Sequence, residues 1–232
     1  MSYLKFTVVG VGPGDPDLIT VKALKTIEAA DIVLTPHSKA GRASVAENAV
    51  RAHLKELKTT PVLFPMVDDT EERDSVLRKQ LEELRPMWEK AESIVLPVIG
   101  DSALYATGSY LYDVWKEIVP DLELALVPGI SAHSLAASRA SVFLAMGEEI
   151  LSVIPGTDSA EHIAKALAAA DSAAIYKPCA LKDRLKEVVL SAGDWKRIIR
   201  IDRAGLPDEK IFEGEAALAP AEEYLSVMLL WR

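Results

Sequence analysis

The sequence predicts an α/β protein made of two lobes with mostly parallel sheets. Short apolar, β-rich runs alternate with runs of helical spacing along the whole chain, and Gly or Pro stands at each junction. Strands that alternate with helices are typical of parallel sheets. The length of 232 residues suits one large domain or two small lobes. We predict lobes over residues 1–120 and 121–232.

In the first lobe, β-rich runs predict four strands, over residues 6–9, 30–34, 61–64 and 93–99. Apolar residues at helical spacing predict helices between and after them. These helices cover residues 18–30, 44–57, 69–90 and 104–117. Proline restricts the backbone and lacks an N–H, so we expect Thr35-Pro36 to stop the second strand and Pro86 to break the third helix.

The second lobe repeats the alternation. Its predicted strands cover residues 122–127, 150–154, 173–176, 198–201 and 224–231. Its predicted helices cover residues 131–140, 161–169 and 182–192. No low-complexity tract or short-period repeat interrupts this pattern.

Composition narrows the class of protein. The net charge is -9 and no run is rich in Lys or Arg, which argues against a nucleic-acid partner. No apolar run reaches the roughly 18–20 residues of a membrane-spanning helix, and the N-terminus does not resemble a signal peptide. Cys179 is the only cysteine, so no intrachain disulfide can form. We therefore expect a cytoplasmic protein.

A glycine-rich loop, Gly10-Val11-Gly12-Pro13-Gly14-Asp15-Pro16-Asp17, follows the first strand. A dinucleotide site needs G-x-G-x-x-G opening directly into a helix, and a P-loop ends in Lys-Ser/Thr. This loop has neither the glycine spacing of a dinucleotide site nor the Lys-Ser/Thr ending of a P-loop. Asp15 and Asp17 would also repel a pyrophosphate. The pattern favours a ligand without phosphate, such as S-adenosylmethionine with its positive charges. A tight turn that binds nothing is the alternative.

Two more turns follow predicted strands. The second is Gly100-Asp101-Ser102-Ala103-Leu104-Tyr105, and the third is Val127-Pro128-Gly129-Ile130-Ser131-Ala132. The carboxyl ends of parallel strands are where open α/β sheets bind ligands. Asp101 and Ser131 are also favoured helix caps, which offers a purely structural explanation.

The three segments together resemble the tetrapyrrole methylase family of cobalamin and siroheme biosynthesis, and the resemblance covers essentially the whole chain. Ser102 stands where the family usually has proline, which predicts a less rigid turn. The resemblance implies two α/β lobes, S-adenosylmethionine bound in a cleft between them, and a homodimer. It places the donor contacts on Pro13, Ile99, Gly100, Asp101, Leu104, Ser131, Ala132, Tyr176 and Ala204.

Three further segments, residues 104–111, 144–149 and 203–209, are similar to the precorrin-2 C20-methyltransferases of that family. They imply methyl transfer to C20 of precorrin-2 or cobalt-precorrin-2, a small-molecule substrate. Tyr105, Tyr110 and Asp101 are candidate catalytic residues that could help to remove the C20 proton. The substrate carries several carboxylates, for which we predict His37, Lys39 and Arg42 as partners. Arg139, Lys177 and Arg203 are further candidates.

Other functions stay open at this stage. The chain could methylate uroporphyrinogen III or a later corrin, or a diphthamide precursor, as other members of the superfamily do. It could be a nucleotide-binding oxidoreductase, although Asp15 and Asp17 argue against that. It could also bind a tetrapyrrole without catalysis. The four histidines are scattered without ligand spacing, so we expect no metal site.

Overall fold

The computed structural model describes residues 4–38, 44–67 and 69–232. The chain forms two compact units, Met1–Ser131 and Ala132–Arg232. This division lies later than the predicted boundary at residue 120. The strand β5 (Glu123–Val127), expected in the second lobe, pairs with β1 (Lys5–Gly10) and so belongs to the first sheet.

The first unit contains a five-stranded sheet in the order β3-β2-β4-β1-β5, and every pairing in it is parallel. The remaining strands are β2 (Ile32–His37), β3 (Thr60–Leu63) and β4 (Ser93–Val98). The helices are α1 (Val21–Glu28), α2 (Val45–Arg51), α3 (Thr70–Trp88) and α4 (Gly108–Ile118). Because the strands are parallel, all their carboxyl ends lie at one edge of the sheet.

Both faces of this sheet are covered by helices, as parallel sheets require. On one face, α1 and α2 contribute Ile27 and Val50 to a core with Val9 of β1. On the other face, Trp115 of α4 packs against Phe6, with ring centroids 5.3 Å apart. This burial on both sides explains why the strands read as continuous apolar runs.

Two prolines do not interrupt their elements, contrary to the prediction. Strand β2 continues through Pro36 because β2 pairs with β4 only at Ile32 and Val33. Beyond those residues β2 borders β3 alone, and such an edge position tolerates a missing N–H. Helix α3 continues through Pro86 to its end at Trp88. Pro86 lies in the last turn, where it removes a single helical hydrogen bond.

Two helices begin later than predicted because left-handed residues precede them. Tyr105 has φ of +52°, so α4 begins at Gly108 and not at residue 104. Lys182 has φ of +50°, and α7 (Leu185–Ser191) begins after it. Such a φ is outside the helical region for a residue with a side chain. No helix in the described part of the chain has the length and apolar character needed to cross a bilayer.

The second unit contains a mixed sheet in the order β6-β7-β10-β8-β9. Its strands are β6 (Leu151–Pro155), β7 (Ser172–Tyr176), β8 (Arg197–Asp202), β9 (Lys210–Glu213) and β10 (Ser226–Trp231). Only β6 and β7 pair in parallel. The expectation of mostly parallel pairing therefore holds for the first sheet and not for the second. Strand β9 was not predicted, and a short turn without a helix joins it to β8, which makes the pair antiparallel.

Three helices accompany this sheet: α5 (Ala132–Arg139), α6 (Ala160–Ala168) and α7. Ile163 of α6 and Val189 of α7 are buried against Ile175 of β7 and Met228 of β10. Helix α5 packs against β10. The amino end of α5 and the carboxyl end of β7 supply the candidate site residues of this unit.

Candidate active site

The three predicted turns meet in the first unit at backbone contact distance. The Gly100 N–H donates to the Gly12 carbonyl at 2.7 Å, and the Gly12 N–H donates back to the Gly100 carbonyl at 3.2 Å. A Cβ added to Gly129 would lie 2.3 Å from the Gly100 carbonyl oxygen and 2.7 Å from the Gly10 carbonyl carbon. Only glycine permits this approach, so the loops form one junction.

The Asp101 carboxylate connects two of these loops. Its Oδ1 accepts the Ala103 N–H at 2.8 Å, and its Oδ2 accepts the Gly129 N–H at 2.9 Å. Asp101 does not cap α4, which begins at Gly108 after Thr107. The carboxylate instead holds the second turn against the third.

Ser102, the residue that replaces the family's proline, also connects these loops. Its hydroxyl donates to the Val127 carbonyl at 2.9 Å, and the residue is only 6% exposed. The serine therefore ties the second turn to the end of β5. This bond restrains the second turn through a side chain.

The glycine loop after β1 does not open directly into a helix. Asp15 accepts the Asp17 N–H at 3.1 Å ahead of a single 3₁₀ turn, Pro16–Leu18. Helix α1 begins only at Val21, capped by Thr20. Since a dinucleotide site needs the helix N-terminus at the glycines, this geometry argues against a nucleotide-binding oxidoreductase.

In the second unit, the predicted donor contacts lie at the ends of three elements. Ala132 begins α5, Tyr176 ends β7, and Ala204, 9% exposed, follows β8. The Tyr176 hydroxyl accepts the His133 main-chain N–H at 3.3 Å and lies 2.8 Å from His133 Nδ1. His133 was not among the predicted site residues, although its place beside Ala132 was a usable signal.

The two candidate catalytic tyrosines lie around the start of α4. Tyr105 is 41% exposed, and burial of the rest of the side chain raises the pKa of its phenol. Such a phenol keeps its proton at neutral pH and is a hydrogen-bond donor more readily than a base. The Tyr110 ring lies 4.1 Å from the Arg73 guanidinium carbon. Catalytic roles for these tyrosines stay predictions.

Of the three predicted substrate partners, His37 alone lies within the described residues; Lys39 and Arg42 fall outside them. His37 ends β2, and its Nε2 lies 3.2 Å from Thr35 Oγ1 and 3.5 Å from Glu47 Oε2. Burial opposes ionisation of Glu47, but hydrogen bonds from Arg51 and Thr59 outweigh it and lower the pKa of that carboxyl. Glu47 therefore presents a negative charge to His37.

Two further cations that the sequence suggested form ion pairs within the second unit. Arg139 Nε lies 3.2 Å from Glu209 Oε2, and Arg203 Nε lies 2.6 Å from Asp208 Oδ1. A substrate carboxylate would have to compete with these partners. Among residues 4–38, 44–67 and 69–232, no three His, Cys, Asp or Glu side chains are grouped to hold a metal ion.

Comparison with known proteins decides the family. The family described as Tetrapyrrole (Corrin/Porphyrin) Methylases matches residues 5–219. The chain belongs to the tetrapyrrole methylases. This membership confirms the family and the fold class predicted from the sequence. It also confirms the prediction of a methyltransferase that uses S-adenosylmethionine.

Individual relatives align with this tetrapyrrole methylase over nearly their whole length. A probable cobalt-precorrin-2 C(20)-methyltransferase of Methanocaldococcus jannaschii is 31% identical and covers 97% of this chain and 94% of its own. A precorrin-2 C(20)-methyltransferase of Sinorhizobium is 28% identical, with 96% and 93% covered. The Thermus thermophilus uroporphyrin-III C-methyltransferase, solved with S-adenyl homocysteine, has a TM-score of 0.69 at 19% identity, with 98% and 97% covered. That structure shows the same fold.

The loop junction of this tetrapyrrole methylase fits the chemistry of its donor. Gly100 has φ of +77°, and apart from its chain neighbours no atom of the described residues lies within 4 Å of where its Cβ would stand, so there is room beside its main chain. Residues 10–17, 99–105 and 127–132 contain Asp15, Asp17 and Asp101 but no Lys or Arg. A sulfonium and an ammonium group suit these surroundings, whereas a phosphate does not.

Proposed function

We propose that this protein transfers a methyl group from S-adenosylmethionine to C20 of precorrin-2 or of its cobalt complex. The supporting observation is similarity over almost the entire length of two relatives whose names state that reaction. The junction of Gly12, Gly100 and Gly129 supports the donor half of the proposal, because it builds a main-chain site without cationic side chains.

We propose that the donor contacts are those implied by the family resemblance. They are Pro13, Ile99, Gly100, Asp101, Leu104, Ser131, Ala132, Tyr176 and Ala204. S-adenosylmethionine supplies an electrophilic methyl group on a sulfonium. The chain's contribution is orientation: Asp101 holds the Gly129 loop in place, so main-chain atoms keep a constant position. An electron-rich macrocycle needs little further activation, so proximity and orientation account for most of the rate.

Mass spectrometry tests the reaction. The purified enzyme is incubated with the methyl donor and either precorrin-2 or cobalt-precorrin-2. We expect one of them to gain about 14 Da, the mass of a methyl group that replaces hydrogen. A carbon-13 methyl donor followed by NMR of the product then locates the new carbon at C20.

A reaction without donor is the control, and it should leave both masses unchanged. Uroporphyrinogen III is supplied in a third reaction. The proposal is wrong if that compound alone gains mass, or if the new methyl group lies on another carbon.

We further propose that His37, Lys39 and Arg42 bind substrate carboxylates. The position of His37 at the carboxyl end of β2 supports this assignment. Replacing both Lys39 and Arg42 by Ala should raise KM for the tetrapyrrole and leave the affinity for S-adenosylhomocysteine unchanged, as measured by calorimetry. Equal loss of both affinities would contradict it.

We also propose that the enzyme is a cytoplasmic homodimer. The family resemblance supports the dimer, and exposed apolar side chains such as Leu126 and Phe143 offer surface for an interface. Light scattering after gel filtration tests the assembly and should give about twice the chain mass of 25.2 kDa. Fluorescence imaging of a tagged copy in its own cell tests the compartment.

A further inference from the structure

We propose that His133 is a positioning residue that holds the phenol of Tyr176 at the donor site. The inference rests on the proposed function in one respect, namely that Tyr176 and Ala132 contact the methyl donor. One histidine then sets the geometry between these two contacts.

Two polar atoms of His133 lie within hydrogen-bond distance of one oxygen, the hydroxyl of Tyr176. The main-chain N–H of His133 donates to the Tyr176 hydroxyl oxygen at 3.3 Å, and His133 Nδ1 lies 2.8 Å from the same oxygen. The two rings meet edge to face, with centroids 5.8 Å apart and planes at 73°. Both residues are half-buried. A phenol held by two polar atoms and an aromatic edge has little freedom to rotate.

Histidine is well suited to this task because Nδ1 is bonded to the ring carbon nearest the backbone. One residue can therefore place its own main-chain N–H and a side-chain nitrogen against the same oxygen atom. His133 lies in the first turn of α5 (Ala132–Arg139), where main-chain N–H groups have no acceptor within the helix. The phenol oxygen supplies that acceptor.

The backbone of Tyr176 is set independently of His133. Tyr176 is paired with Val227 of β10 on one side and with Pro155 of β6 on the other. Its carbonyl accepts the Gly156 N–H at 2.7 Å, and Lys177 then turns the chain with φ of +52°. The sheet thus fixes the position of the Tyr176 backbone, and the bond to His133 orients its phenol.

A purely structural explanation is that the pair only fastens α5 to the sheet. That explanation predicts a loss of stability without a specific loss of donor affinity. The positioning role predicts the opposite result, namely weaker donor binding at nearly constant stability. It also predicts that donor affinity recovers when a polar atom is restored at the place of Nδ1. Asn can provide that atom, since its amide oxygen and nitrogen are bonded to the same Cγ position as Nδ1.

The experiment compares H133F, H133N and Y176F with the wild-type protein by calorimetry with S-adenosylhomocysteine and by thermal unfolding. H133F keeps a ring and removes Nδ1, and Y176F removes only the hydroxyl. We expect Kd to rise roughly 3- to 10-fold in H133F, the equivalent of one hydrogen bond, and at least as much in Y176F, which removes the partner of both His133 atoms. H133N should stay within about twofold of wild type for the same reason.

Steady-state kinetics adds a second measure. KM for the donor should rise in H133F, while KM for the tetrapyrrole stays unchanged. The double variant H133F/Y176F should bind no more weakly than Y176F alone, because loss of the hydroxyl already removes the bond to Nδ1. The matched control is H162F, since His162 lies near the start of α6 in the same unit and pairs with Asp158 instead. Its Kd should equal that of wild type.

Wild-type affinity in H133F, or equal weakness of H133N and H133F, would overturn the positioning role. If H133F does not fold, Y176F and H133N decide the matter alone. Additive losses in the double variant would also contradict it. A wild-type protein that binds no S-adenosylhomocysteine refutes the proposed donor site itself, which is a separate result. Wild-type binding without transfer to either precorrin-2 or cobalt-precorrin-2 refutes the proposed substrate and leaves the role of His133 in place.

Discussion

The strand ends of the two units are held in different ways. In the first unit, the turns after β1, β4 and β5 contact one another through main-chain atoms, and Gly10 and Gly129 permit this approach. The Asp101 carboxylate also binds the Gly129 N–H and so joins two of these turns. In the second unit, the end of β7 also has a close backbone contact, since a Cβ added to Gly156 would lie 2.6 Å from the Lys177 carbonyl oxygen, but the Tyr176 phenol is held by its bond to His133. A contact between backbones has no room for an added atom, whereas a contact between side chains can be altered one hydrogen bond at a time. Substitutions should therefore be severe at the glycine junction of the first unit and graded at the bond between Tyr176 and His133.

The largest effect is expected from Gly129→Ala. Its Cβ would lie 2.3 Å from the Gly100 carbonyl oxygen, which belongs to the backbone and cannot rotate away. We expect kcat/KM to fall about 100-fold, as a displacement near 1 Å would cause. The free energy of unfolding should fall by about 1–3 kcal/mol, the usual cost of overpacking. Steady-state kinetics and urea unfolding measure the two effects.

Gly214→Ala is the control for Gly129→Ala. Gly214 has φ of +57°, and in the part of the chain that the structure describes only its chain neighbours lie within 4 Å of an added Cβ, so the change introduces backbone strain without a clash. It should cost about 1 kcal/mol of stability and leave kcat/KM unchanged. If Gly129→Ala behaved like this control, the loops would not be as tightly joined as the structure indicates.

An intermediate effect is expected from Asp101→Asn. Asp101 uses both oxygens, one for Ala103 and one for Gly129, and the amide nitrogen of Asn cannot accept a hydrogen bond. One N–H loses its partner, so we expect Kd for S-adenosylhomocysteine to rise about tenfold. Calorimetry measures it.

Asp69→Asn is the matched control, because Asp69 caps α3 through Oδ1 alone, which accepts the N–H groups of Glu71 and Glu72. An Asn oxygen can replace it. We expect donor affinity to stay at the wild-type value. Equal effects of the two substitutions would show that loss of charge, and not loss of an acceptor, weakens binding at Asp101.

A smaller effect is expected from Asp31→Asn, at the opposite edge of the first sheet. The carboxylate accepts hydrogen bonds from the Ser93 main-chain N–H, the Ser93 hydroxyl and the Glu92 main-chain N–H. These bonds lower the pKa of the Asp31 carboxyl. Because Asp31 is exposed, the substitution should cost only about 0.5–1 kcal/mol at neutral pH. A depressed pKa means that this contribution is complete above the unfolded value of about 3.9 and is lost as pH falls through the folded value.

Urea unfolding at neutral pH and at about pH 3, below that unfolded value, tests the prediction. The difference between Asp31→Asn and wild type should shrink at the lower pH. Asp171→Asn is the counterpart in the second unit, where Oδ2 accepts one N–H, from Ile150. It should cost less than Asp31→Asn. A larger stability cost for Asp171→Asn than for Asp31→Asn would contradict this comparison of the two carboxylates.

Several features were predictable from the sequence because they depend on local pattern. The strand-to-turn segments that contain Gly12, Gly100 and Gly129 were recognised from composition and order, and the structure places all three at one junction. The course of α3 through Pro86 was not predictable in this way, since the effect of a proline depends on how near it lies to the helix end. The start of α4 was missed because the left-handed conformation of Tyr105 leaves no signal in residue type.

The amino-acid sequence by itself determined the α/β class, the parallel first sheet and the glycine–aspartate turns that indicate a methyl-donor site. These features follow from periodicity and from the few residue types that permit a sharp turn, which neighbouring residues suffice to define. Tertiary structure alone decided that Asp101 clamps two loops instead of capping a helix, that β5 belongs to the first sheet, and that His133 meets Tyr176. Each of these joins residues far apart in the chain, and such pairings exist only once the sheets have assembled.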